Sequence, residues 1–279
     1  MAGVDREVEE GARSGGVPPP PPPLIQQTEL NGGKGGSISM ARAEEPRAGY
    51  GTAGDHWGVA VSSLVRAQGA IHAGEVSTVA IMTAEILRHS EAIGYDVFVV
   101  PAMLLEAWVA ERRNEPGAAE DAYRRALELA GRIGFADHVS FALVRLGSNA
   151  LARGDTGQAE ELCRRALAMA EVASTSCLAA HARVQLARVL EAAGDADTAE
   201  TLYRSVVEWS KTRRPRQVRE SLFVGLAGSH GAAALRGLAR LAAARGDGEA
   251  ADDLHARAAA MAERDRASPD ALRGAAAAT

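Results

Sequence analysis

Aromatic residues make up only 4% of this 279-residue chain. That scarcity, set against abundant alanine, leaves a β-sandwich little from which to build strands and suits helices packed at close range. Cysteine is nearly absent: Cys163 and Cys177 are the only two, and they form no metal or redox spacing. No apolar run approaches the roughly 20 residues that cross a bilayer. The segment 1–16 is charged and glycine-rich, without the hydrophobic stretch of a secretory leader. Basic residues are not in excess either, and a formal net charge of −5 disfavours nonspecific attraction to nucleic acid or anionic membranes. These absences predict an all-α, cytoplasmic chain with no membrane partner.

What is present is a 40-residue repeat. Gly154-Asp155-Thr156-Gly157-Gln158-Ala159-Glu160 returns one period later as Gly194-Asp195-Ala196-Asp197-Thr198-Ala199-Glu200, and one period earlier as Asn114-Glu115-Pro116-Gly117-Ala118-Ala119-Glu120. Carried outwards, the spacing places Gly74-Glu75 on an earlier turn and, after a 12-residue insertion, Gly246-Asp247 on a later one. Phe141, Leu143, Val144, Leu146, Ala150 and Leu151 give the spacing of a buried helical stripe, and Leu162, Ala166, Leu167 and Ala170 repeat it on the next helix. Between them, Gly154 suits the left-handed end of one helix while Asp155 caps the start of the other. Such hairpins cannot each bury enough surface alone, so they stack into a solenoid. About five are predicted, near 55–95, 96–135, 136–175, 176–211 and 229–263.

The flanks read differently. Residues 1–52 contain the run Pro18 to Pro23 in charged, glycine-rich sequence and are expected to be disordered. Met40, just ahead of the first helical pattern, marks an alternative start, and a native peptide upstream of it would disprove that. The insertion carries Lys211, Arg213, Arg214, Arg216 and Arg219, the most basic window of the chain, before a short helix expected over 215–227. Two readings stand for it: an anion or nucleic-acid patch, or a solvated loop beside a packed Trp209. The tail, 264–279, is expected as frayed helix or disorder.

Gly147 and Ala159 stand in the relation i, i+12, with Leu143 and Leu146 ahead of the glycine and Ala166 beyond the alanine, and Leu235, Leu238, Ala239, Ala251 and Ala258 repeat the pattern. This resembles the tetratricopeptide consensus, and the 40-residue period resembles the MalT-like variant of that superfamily. Gly246 to Ala260 and Val207-Glu208-Trp209-Ser210 look like the C-terminal sensor region of actinobacterial transcriptional regulators of the SARP type with a bacterial transcriptional activator domain. The resemblance covers about residues 55–263 and implies a right-handed superhelical array that binds a protein or peptide partner. The DNA-binding winged helix and the P-loop of such regulators are not carried over. Gly32-Gly33-Lys34-Gly35-Gly36-Ser37 lacks the spacing of a phosphate-binding loop. The chain then reads as an orphan or fragment of a larger regulator, with self-association open.

No catalytic, cofactor or metal constellation emerges. The seven histidines show no i, i+4 pair; Ser229-His230 lacks a nucleophile elbow and suits a helix start; Cys163 falls at a packing position. The chain is therefore not expected to be an enzyme. Arg124, Arg125, Arg164, Arg165 and Arg204 each follow an acidic residue by four and are expected on an outer, solvated face. The resemblance places the ligand groove on the first helix of each hairpin. There Trp108, Ser148, Arg188 and Arg240 share one register, with Arg236 a turn before Arg240 and Glu111, His181 and Glu191 nearby. Either Trp108 and the arginines grip an extended acidic peptide, or Trp108 fills a gap between hairpins and the arginines are merely solvated.

Overall fold

The computed structural model describes residues 56–94, 96–212 and 229–277, with the side chains of His72 and of residues 266–277 left aside. Among the described residues there are ten α-helices and no strand: α1 (His56–Ala73), α2 (Val76–Ile93), α3 (Val99–Arg112), α4 (Pro116–Ile133), α5 (Ala136–Ala152), α6 (Thr156–Val172), α7 (Ser176–Ala193), α8 (Ala196–Thr212), α9 (His230–Ala244) and α10 (Gly248–Ala277). The segment 1–52, the helix expected over 215–227 and Arg213, Arg214, Arg216 and Arg219 lie outside the described residues. The stretch expected as a tail is helical up to Ala277, as the continuation of α10.

Backbone chemistry sets where each helix stops. Gly74, Gly94, Asn114, Gly134, Gly154, Ser174 and Gly194 all have positive φ, one at every half-period of the repeat, and Gly246 follows after the insertion. A residue in this left-handed conformation ends a helix and turns the chain back. At several turns the next helix then starts on a side-chain cap. Asp155 accepts the Gln158 amide at 2.9 Å, Asp195 that of Thr198 at 3.1 Å, and Asp247 that of Ala250 at 3.0 Å. Ser229 accepts the Ala232 amide at 3.2 Å and opens α9, while Pro116 occupies the first turn of α4, where no amide hydrogen is needed. Asp155→Ala should therefore cost about 1 kcal/mol, read as a lowered urea midpoint; an unchanged midpoint would show the cap to be redundant.

Each helix packs on the next in sequence, and the odd-numbered helices also touch across hairpins: α1 on α3, α3 on α5, α5 on α7, α7 on α9. They form one contiguous layer and the even-numbered helices the other. The core between them is built of small residues at crossings. A Cβ added to Gly147 in α5 would stand 2.8 Å from Cys163 Sγ and 3.3 Å from the Ala159 carbonyl oxygen of α6, so Gly147 and Ala159 are small because the two backbones approach there. Larger apolar side chains fill the space between crossings, with Phe141, Leu143, Val144 and Leu146 of the expected stripe all buried.

On the even-numbered helices the i, i+4 pairs form as expected at Glu120–Arg124, Glu160–Arg164, Glu161–Arg165 and Glu200–Arg204. Arg125 differs: it pairs with Glu106 of α3 at 2.7 Å instead of with Asp121.

Candidate protein-binding face

Counted from the left-handed residue that ends each odd helix, Trp108, Ser148, Arg188 and Arg240 all stand six places before it. The structure gives them different surroundings. Trp108 is half-buried, with the Arg112 guanidinium 5.7 Å from its ring centre. Ser148 donates back to the Val144 carbonyl at 3.0 Å. Arg188 is exposed and donates to Gln185 at 3.1 Å. Arg236 is exposed as well.

Arg240 and both glutamates belong to internal clusters. Arg240 donates to Glu191 through Nε at 2.8 Å and Nη2 at 2.7 Å, and Tyr203 donates its hydroxyl to Glu191 at 2.9 Å. The Tyr203 ring lies against α9 because Gly237 has no side chain; a Cβ there would fall 2.3 Å from Tyr203 Cζ. The same chemistry recurs two hairpins earlier, where Tyr123 donates to Glu111 at 3.0 Å and Arg145 reaches both Glu111 and the Tyr123 oxygen. Each triad ties one hairpin to the first helix of the next. Burial and the neighbouring glutamate push both phenols above their ordinary pKa. Burial opposes the charge on Glu191, yet hydrogen bonds from Arg240 and Tyr203 hold its carboxyl below the usual range. Arg153 to Glu120 and Arg245 to Glu200 add a second bridge at the same two junctions.

His181, placed near the groove on sequence grounds, lies inside the core at 3% exposure. It stacks on His230 with centroids 5.3 Å apart and planes at 18°, with Phe141 on its other side and Trp209 beyond His230. His230 Nε2 is also 3.3 Å from Cys177 Sγ. No group of three metal-ligating side chains occurs among the described residues. Ser229 and His230 serve capping and packing, and burial pushes the Cys163 thiol up to about 12, against a smaller downward pull from Arg188. Lys211, the described member of the basic window, pairs with Glu208 at 2.6 Å. No helix among the described residues is long and apolar enough to cross a membrane.

Residues 138–211 match the Tetratricopeptide repeat family, a repeat type that generally mediates protein–protein interaction. No curated protein matches the chain. Among solved structures, BtubC (BKLC) from P. vanneervenii is similar with a TM-score of 0.60 at 16% sequence identity, over 83% of this chain and 91% of that one. A Podosopora anserina putative kinesin light chain with nearly identical TPR-like repeats is similar with a TM-score of 0.50 at 18% identity, over 72% of this chain and 92% of that one. At such identities the likeness shows the fold, an array of helical hairpins.

Proposed function

We propose that the chain is a protein-interaction or sensor module connected with transcriptional regulation, its repeat domain spanning about residues 53–263 and its odd-helix face receiving an extended, acidic segment of a partner in the cytoplasm. The observation that carries this is the contrast among the arginines of that face. Arg145 and Arg240 are consumed by internal glutamates, whereas Arg188 and Arg236 are exposed and form no ion pair among the described residues. Exposed guanidiniums on the same series of helices as the half-buried Trp108 supply what an extended acidic chain needs: charge-assisted hydrogen bonds and apolar area. The regulatory connection rests on the likeness of Gly246 to Ala260 and Val207 to Ser210 to the sensor regions of actinobacterial regulators.

An affinity pull-down with the full chain, at low and high salt, tests the reading. Trp108→Ala and Arg236→Glu should each reduce recovery of a specific protein partner by about tenfold, the loss of one hot-spot contact. Recovery unchanged in both variants would end the groove reading. Nucleic acid that elutes and is lost at high salt would move the case to the basic window from Lys211 to Arg219.

A further inference from the structure

The two Glu–Tyr–Arg triads occupy alternate junctions, and the junction between them has lost two of its three parts. The glutamate stands three places before the left-handed residue and the tyrosine nine after it: Glu111 and Tyr123 around Asn114, Glu191 and Tyr203 around Gly194. Around Gly154 those places hold Leu151 and Cys163. The second bridge is broken there too. Ala193 stands where Arg153 and Arg245 stand in the flanking repeats, so the ion pair of Glu160 is with its helical partner Arg164. Yet an arginine of the triad is retained. Arg188 sits six before Gly194, as Arg240 sits six before Gly246, while the place of Arg145, nine before, is taken by Gln185.

At the tyrosine's place Cys163 packs against α5, its Sγ 2.8 Å from where a Cβ on Gly147 would stand. Nothing in that account requires an arginine at 188: among the described residues it hydrogen-bonds Gln185 and has no carboxylate within ion-pair distance, although its charge is felt by Glu191, three places on and already held by Arg240. The equivalent guanidinium at 240 takes a carboxylate in a two-pronged grip.

Resting on the reading of this face as a partner-binding surface, we infer that Arg188 at the α5–α6–α7 junction is an incomplete triad, and that a glutamate or aspartate side chain of the bound partner supplies the missing carboxylate. The partner's acidic residue thus substitutes for the internal glutamate of the neighbouring repeats. Binding is selective for the central junction because the flanking arginines are already occupied. The partner residue on either side of that carboxylate lies over Leu151, an apolar floor where the flanking repeats have a charge.

The test fills the site from inside. Leu151→Glu combined with Cys163→Tyr rebuilds the triad around Arg188, and binding of an acetylated hexaglutamate peptide to the full chain is followed by NMR at the arginine Nε–H resonances. In the wild-type chain the peptide should shift the Arg188 resonance, assigned by its disappearance in Arg188→Gln. The double substitution and Arg188→Gln should each weaken the peptide by about tenfold, the worth of one charge-assisted hydrogen bond, while Arg236→Gln changes it much less. If the double variant fails to fold, Arg188→Gln alone carries the test. Binding that is insensitive to Arg188→Gln but lost in Arg236→Gln would overturn this inference and leave the acidic-segment reading standing; no binding by the wild-type chain would overturn both.

Discussion

Replacing Glu111 by glutamine will lower the unfolding free energy by about 3 kcal/mol, the lower end of what removing one partner of a buried ion pair costs. Glu111 and Arg145 retain only 15% and 27% of their side-chain exposure. Arg145 lies over the Tyr123 ring, its guanidinium carbon 5.8 Å from the centroid, and donates to the Tyr123 oxygen. Burial works against a charge on Arg145, and it is the tyrosine and the glutamate that stabilise it and raise its pKa. With glutamine at 111 the guanidinium stays in place, since it cannot deprotonate, but faces only neutral oxygens. The paired comparison is Glu191→Gln. Its arginine, Arg240, is 48% exposed, water can replace the lost carboxylate, and the cost should be about 1 kcal/mol. Urea unfolding of both variants decides: equal losses would mean that burial does not set the strength of these triads.

The contrast between those triads and the ion pairs on the even helices shows what the sequence can disclose. Glu160–Arg164 and Glu200–Arg204 are legible because a spacing of four is about one helical turn, and the caps at Asp155, Asp195 and Asp247 because a carboxylate reaches the amide three places on. Tyr123 to Glu111 spans 12 residues and Arg145 to Glu111 spans 34. No local spacing reports such contacts; they depend on where α5 docks beside α3 and α4. The same limit applies at Gly237, whose role follows from the Tyr203 ring of the preceding hairpin.

His181 is the instructive case, because a signal for its burial is present. Its groove register follows from Arg188, seven places on and so on nearly the same helical face. But the repeat also aligns His181 with Phe141, which belongs to the stripe read as buried. The two cues conflict, and the structure follows the second. His181 is covered by His230 of α9, whereas the Arg188 side chain, seven places on, is exposed.

That burial makes the array acid-labile in a window of its own. His181 packs on Phe141 of α5 and on His230 of α9, which in turn meets Trp209 of α8 and Cys177 of α7, and the charges of Arg145 and Arg188 reach it. Its Nδ1 has no hydrogen-bond partner among the described residues. Burial first, then the positive potential of His230, Arg145 and Arg188, hold its pKa well below the ordinary 6.5. A group favoured in its neutral form by folding contributes its full share above the unfolded pKa and loses it as pH falls towards the folded value, at ~1.4 kcal/mol per pH unit for one proton. Between about pH 7 and about pH 5 the chain should therefore lose stability as the medium turns acidic. The paired carboxylates contribute in another range. Glu191 and Glu200 have lowered pKa values, so their share is present above about pH 4.3 and is lost only below it. Thermal unfolding of the wild-type chain and of His181→Leu across that interval separates the causes: the variant should show a flatter dependence, and an unchanged slope would place the acid lability on other groups.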